Sequence, residues 1–271
     1  MKYLYTILLG FLVVAGCSGK KENQANQNSS LVTKEVNYST DGTPLKGFIA
    51  YDSSFSGKRP GIIVVHEWWG LNDYARKRAE MLAKLGYVAL AVDMYGNGKT
   101  SYHPETAGKF ATEVMQKMDT ATARFDAGLK LLKNQPQTDT ANLAAIGYCF
   151  GGGIVLRMAL EGIPINGVVS FHGDLPTEPV KHPDSVNANI LVCNGAADPF
   201  NPPEKVKAFK TALDTVGIKY TFINYAGAKH SFTNPAADSL GKKNNLPLEY
   251  NKQADEKSWN DMKDFFNRIF K

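Results

Sequence analysis

A chain of 271 residues with 43% hydrophobic and 21% charged content has the make-up of a globular protein, not a disordered one, and suits a single large α/β domain. The net charge of +5 is modest, and its densest basic runs, Lys20-Lys21, Arg76-Lys77-Arg78 and Lys242-Lys243, read as solvated surface, which argues against a nucleic-acid-binding module. Three cysteines are too few for a disulfide framework, no Cys/His cluster has metal-ligand spacing, and neither a metal nor a cofactor is expected.

The chain opens with Lys2 and the apolar run Leu4–Ala15, too short to span a bilayer as a helix; residues 1–16 therefore read as a signal peptide. Its end, Leu12-Val13-Val14-Ala15-Gly16-Cys17, resembles a bacterial lipobox. That resemblance implies cleavage before Cys17, a lipid on Cys17, and a membrane-anchored protein of the bacterial cell envelope. With Ser18 following, the outer membrane is the expected destination where there is one. An ordinary signal peptide with a coincidental cysteine is the other reading. Residues 17–30 are polar and read as a tether, so the folded domain spans 31–271, without internal repeat.

Leu31–Thr40 and Leu45–Tyr51 alternate around Asp41-Gly42, the signature of an antiparallel hairpin. Gly61–His66 is a continuous apolar run, as expected of a strand buried on both faces. Asn72–Leu85 has helical periodicity ending at Gly86, and Tyr87–Val92 is a second buried strand. An irregular stretch, Met94–Pro104, precedes helical patterns at Glu105–Met118 and Thr120–Asn134. Strands follow at Leu143–Tyr148, Gly167–Phe171, Ile190–Asn194 and Tyr220–Tyr225, with helices at Ile154–Leu160 and Glu204–Val216. Leu248–Phe270 reads as a long amphipathic helix with Trp259, Met262, Phe265, Phe266 and Ile269 on its apolar face. The alternation predicts an α/β fold, a mostly parallel central sheet with helices on both faces.

Between the strand ending at Tyr148 and the following helix lies Gly147-Tyr148-Cys149-Phe150-Gly151, a nucleophile-elbow pattern with sulfur in place of the usual serine oxygen. A sharp strand-to-helix turn strains its central residue and demands minimal neighbours. The helix behind the sulfur favours a thiolate. Asp198 and His230 each follow a later strand, at the sheet edge where α/β proteins bind ligands. The order nucleophile, acid, base is that of α/β-hydrolases. In that reading His230 takes the thiol proton and Asp198 orients the imidazole.

Taken together, His66-Glu67-Trp68-Trp69-Gly70, Gly147–Gly152, Gly195-Ala196-Ala197-Asp198 and His230-Ser231-Phe232 resemble the dienelactone hydrolase family across the domain. The resemblance implies an α/β-hydrolase fold and a Cys149–Asp198–His230 triad. It also implies that Glu67 contacts the resting cysteine and swings away as substrate binds. The other reading of Glu67 is a structural acid bonded to a loop or to Arg76. The backbone N–H groups of Phe150 and Trp68 are the expected oxyanion hole, and Trp68 and Trp69 line the pocket or pack beneath it. His66, His103, His172 and His182 carry no assigned role, and Cys193 reads as strand core.

The resemblance has gaps. Family members that act on dienelactone hold its carboxylate with arginines, one in the loop after Asp93-Met94-Tyr95 and one four residues past the histidine. Here the loop reads Gly96-Asn97-Gly98-Lys99 and the later position is Asn234. Lys99 offers charge without the planar fork of arginine. The expectation is a cysteine-nucleophile hydrolase of a small ester, lactone or thioester, and not of dienelactone itself. The alternative is a non-catalytic envelope lipoprotein that uses the pocket for a ligand or partner. A peptidase shares the chemistry, but no extended cleft or propeller domain is visible.

Overall fold

The structure, a computed structural model, describes Met1 and residues 30–270. The expected signal peptide but for Met1, the Cys17 lipidation site and all of the tether but Ser30 lie outside the described residues. Among the described residues no helix is long and apolar enough to cross a membrane.

Alternating sequence gives the hairpin β1 (Leu31–Thr40) and β2 (Thr43–Asp52). Asp41 and Gly42 sit at φ 48° and 72°, the positive values that a two-residue turn needs to match strand twist. The apolar runs become β3 (Arg59–Val65) and β4 (Val88–Val92), separated by α1 (Asp73–Lys84). The Asn72 side chain caps α1 by accepting from the Ala75 N–H. The chain continues through α2 (Pro104–Met115), α3 (Met118–Lys133), β5 (Thr138–Tyr148), α4 (Phe150–Leu160), β6 (Gly167–Phe171) and β7 (Asn189–Gly195). It ends with α5 (Pro203–Thr215), β8 (Tyr220–Tyr225), α6 (Ala237–Asn244) and α7 (Lys252–Ile269).

One eight-stranded sheet results, in the order β1-β2-β4-β3-β5-β6-β7-β8. The β1–β2 and β2–β4 pairs are antiparallel, and every pair from β4 to β8 is parallel. Parallel strands need crossovers, and the crossover helices cover both faces. Phe125 of α3, Ile154 of α4 and Phe209 of α5 belong to the core on one face. Leu82 of α1 with Met262 and Phe266 of α7 belong to the other. The parallel arrangement brings the C-terminal ends of β3, β5, β6, β7 and β8 to one edge of the sheet, where the chemistry gathers.

Three sequence expectations differ from the structure. The last helix starts at Lys252, not Leu248: Pro247 disfavours helix in the residue before it, the Leu248 N–H turns back onto the Leu246 carbonyl at 2.8 Å, and Asn251 caps the helix through the Ala254 N–H. Leu248 instead forms an isolated parallel bridge with His230. The short helix α6, polar and without apolar periodicity, was not expected at all. Finally, Arg78 is not solvated surface; it is 3% exposed, while its neighbours stay outside, Lys77 on Glu80 and Arg76 on Glu35.

Candidate active site

β5 delivers Cys149 into a conformation that few side chains adopt, φ 53° and ψ −116°, before α4 begins at Phe150. A Cβ on Gly147 would collide with the Gly151 carbonyl, and one on Gly151 with the carbonyls of Val65 and His66. The two glycines let the turn close against the end of β3. The Cys149 N–H donates to the Phe171 carbonyl at 3.0 Å and to His172 Nδ1 at 3.2 Å. Cys149 and Cys193 are both unbridged, and Cys193 is fully buried, with burial pushing its thiol up to about 12.

The structure brings Cys149, His230 and Asp198 together. His230 Nε2 lies 3.0 Å from Cys149 Sγ, and its Nδ1 lies 2.8 Å from Asp198 Oδ2. Asp198 Oδ1 accepts from the Phe200 N–H at 2.8 Å, which fixes the carboxylate. Burial would by itself lower the pKa of His230. The facing sulfur and the bonds to Asp198 and Cys149 outweigh it and hold the imidazole well above its usual 6.5. This environment favours the protonated imidazole beside the sulfur.

The loop after β3 carries the second wall. His66 is wholly buried, its Nδ1–H donating to the Glu67 carbonyl at 2.5 Å while Nε2 accepts from the Met94 N–H at 3.2 Å. The Tyr95 hydroxyl donates to the Trp68 carbonyl at 2.9 Å. Pinned on both sides, the loop leaves the Trp68 N–H, like that of Phe150, without an acceptor among the described residues. Trp68 lines the cavity and Trp69 is packed beneath it at 1% exposure.

Glu67 differs from what the resemblance implies. Its oxygens accept from Ser231 Oγ at 3.0 Å and Asn234 Nδ2 at 2.7 Å, not from the cysteine, and Arg76 is engaged with Glu35. A carboxyl 1% exposed requires partners, and the loop after His230 supplies them. Burial raises its pKa against the pull of Asn234 and Ser231. Asn234, at the position where dienelactone binders carry an arginine, is therefore spent on Glu67. Lys99 is also absent from the cavity wall; its ammonium lies 5.4 Å from the Phe110 ring centre.

Sequence reasoning passed over His172. It is wholly buried at φ 40°, and its Nε2–H donates to Thr233 Oγ1 at 2.7 Å, since Nδ1 already accepts from Cys149. Its ring meets His230 edge-on with centroids 5.4 Å apart. Burial, with the positive His230 and Arg78 nearby, drives its pKa well below 6.5, so it is neutral. Thr233 in turn meets the Tyr74 hydroxyl at 2.6 Å. Ser231, at φ 58°, is a third left-handed residue in the site.

A cavity of about 360 Å³ opens over the sulfur. Most of its wall is apolar, with Trp68, Met115, Phe150, Leu246 and Leu248 among the contributors. Asp174, Asn201 and Lys205 are its polar end. The described residues contain no group of three or more side chains able to hold a metal ion.

Comparison with known proteins places this geometry in context. A model of the dienelactone hydrolase family matches residues 45–270. Protein usf of Aquifex pyrophilus is 30% identical, covering 76% of this chain and 89% of its own. Among solved structures, a dienelactone hydrolase-like promiscuous phosphotriesterase from metagenomic libraries is 33% identical. It superposes with a TM-score of 0.83 over 89% of this chain and 100% of that one. An acylaminoacyl peptidase of Pyrococcus horikoshii, 14% identical with a TM-score of 0.62 over 79% of this chain and 40% of its own, shares the fold alone.

Proposed function

The chain belongs to the dienelactone hydrolase family and is a hydrolase of esters or lactones, and on that premise we propose that it works through an acyl-cysteine on Cys149. The sulfur, paired with the His230 imidazolium, attacks the substrate carbonyl carbon and pushes its electron pair onto oxygen. The N–H groups of Phe150 and Trp68 receive that oxyanion. Collapse breaks the carbon–oxygen bond to the alcohol, and His230 Nε2 gives its proton to the departing oxygen. The neutral imidazole then takes a proton from water, which attacks the thioester; the thiolate leaves and the ion pair is restored. Asp198 keeps the imidazole aligned throughout. Glu67 has a positioning role in this scheme, since it joins the loop of His230 to the loop of Trp68.

The observation that carries the proposal is the unbroken Asp198–His230–Cys149 chain, 2.8 and 3.0 Å between donor and acceptor, beside two backbone N–H groups that have no acceptor among the described residues. Assayed with p-nitrophenyl acetate under reducing conditions, Cys149→Ala is expected to lose at least about 10³-fold in kcat/KM. Equal turnover by the variant would remove Cys149 from the mechanism and favour a pocket that binds without reacting.

A further inference from the structure

We propose that the site takes an uncharged ester or lactone with an apolar body several carbons long, and that Asp174 is the specificity residue that silences Lys205, the cation at the pocket's polar end. This rests on the acyl-cysteine reading. The inference starts from what faces the substrate. Among the described residues that line the cavity outside the reacting pair, Lys205 is the one cation. Its Nζ is 2.5 Å from Asp174 Oδ1 and 3.1 Å from the Phe200 carbonyl. Arg157 approaches the same carboxylate from the α4 side, with Nη2 2.9 Å from Oδ2. Each oxygen of Asp174 is thus committed to a cation. Burial tends to raise its pKa, but Lys205 and Arg157 hold it below the usual range, so the carboxylate stays ionised.

The third polar contributor offers an anion no donor, because its amide hydrogens are already used. Asn201, 4% exposed, gives its amide N–H₂ to the Gly173 carbonyl at 2.8 Å and to Asn194 Oδ1 at 3.1 Å. Its own Oδ1 is a buried acceptor with no partner among the described residues. A substrate carboxylate would meet a carboxylate and apolar wall, and would lose its hydration without a free donor or positive partner. Lys99, the other cation considered for this role, is outside the wall. An apolar acyl chain, by contrast, finds Met115, Leu246 and Leu248. Pocket contacts of this kind discriminate by chain length.

The test compares p-nitrophenyl acetate, butyrate and hexanoate with the p-nitrophenyl monoester of adipic acid, which has a terminal carboxylate on a chain of the same carbon count as hexanoate. With the full-length chain, kcat/KM is expected to rise at least about tenfold from acetate to hexanoate. It should then fall by about 100-fold when the terminal methyl becomes carboxylate. Asp174→Asn unmasks Lys205 and is expected to narrow the hexanoate-to-adipate gap by about tenfold. A gap absent in the parent chain, or unchanged in a folded Asp174→Asn, overturns the specificity while leaving acyl transfer intact. Should the variant not fold, the comparison in the parent chain decides alone. Hydrolysis of none of the esters, with no acyl group on Cys149, overturns acyl transfer and the specificity with it.

Discussion

Two neutral histidines brace the loops of the site, and they do so as opposite tautomers. His66 keeps its proton on Nδ1 to hold the Glu67 carbonyl, and His172 keeps its proton on Nε2 so that Nδ1 can accept from the Cys149 amide. Asparagine places an amide group near Nδ1, whereas glutamine places one near Nε2. If His172 positions the nucleophile, His172→Gln should lose about tenfold in kcat with KM little changed, the worth of one hydrogen bond. His172→Asn should recover most of that loss. Steady-state kinetics on a nitrophenyl ester separates the two; equal losses would reduce His172 to packing. The three groups of the proposed reaction were readable in the chain because each is punctuated by a strand end and they come in a known order. The histidines were not, because Met94 for His66, and Cys149 and Thr233 for His172, are partners that only folding brings near. The contacts of Glu67 were hidden for the same reason, its partners lying 164 and 167 residues away.

At the scale of elements, Arg78 joins α1, α7 and the loop that carries His230. Its guanidinium donates to the Thr233 carbonyl and to Asp255 Oδ1, the latter at 2.7 Å, and Nε reaches the Tyr74 hydroxyl at 3.2 Å. The rings of Tyr74, Tyr148 and Trp259 surround it with centroids 5.2, 5.3 and 5.4 Å away. Arg78→Met fills the volume but strands Asp255 and the Thr233 carbonyl, and removing one partner of a buried pair costs about 3–5 kcal/mol. Urea denaturation should register that loss in full; a change under about 1 kcal/mol would mean that Asp255 finds water instead. A run reading Arg76-Lys77-Arg78 looks uniformly wet in sequence, since charge reports no direction. Here the helical turn sends only Arg78 inward. Most elements were legible because Asp41-Gly42, Gly86 and Gly217 end them sharply. The helix α6 and the Leu246–Leu248 turn lack such a pattern, and Leu248 pairs with His230, a tertiary contact.

For the molecule as a whole, the buried imidazoles set a pH limit. Burial depresses the pKa of both His66 and His172 in the folded state. Below about 6.5 the unfolded chain binds protons that the folded chain refuses, so stability declines as pH falls from there toward the depressed values. The decline approaches about 1.4 kcal/mol per pH unit for each group. His230 works in the other direction: its raised pKa contributes stability that is fully present below 6.5 and is lost as pH rises through its folded value. It therefore does not offset the acid loss. Urea midpoints taken from pH 7 to pH 5 should fall for the parent chain and fall less steeply for His172→Asn; parallel curves would sink the assignment.

Cys149, His172 and Ser231 stand at φ 53°, 40° and 58° on three separate loops of one sheet edge. Left-handed backbone in residues with side chains costs about 1–3 kcal/mol at each place. Selection for heat resistance alone would find some of its largest local gains here, and a lineage that took them would let the elbow relax and the sulfur drift from His230. Durability in this chain must instead be sought away from these loops, and any survey of tolerated mutations should find the same three positions resistant to change for reasons opposite to those that protect the core.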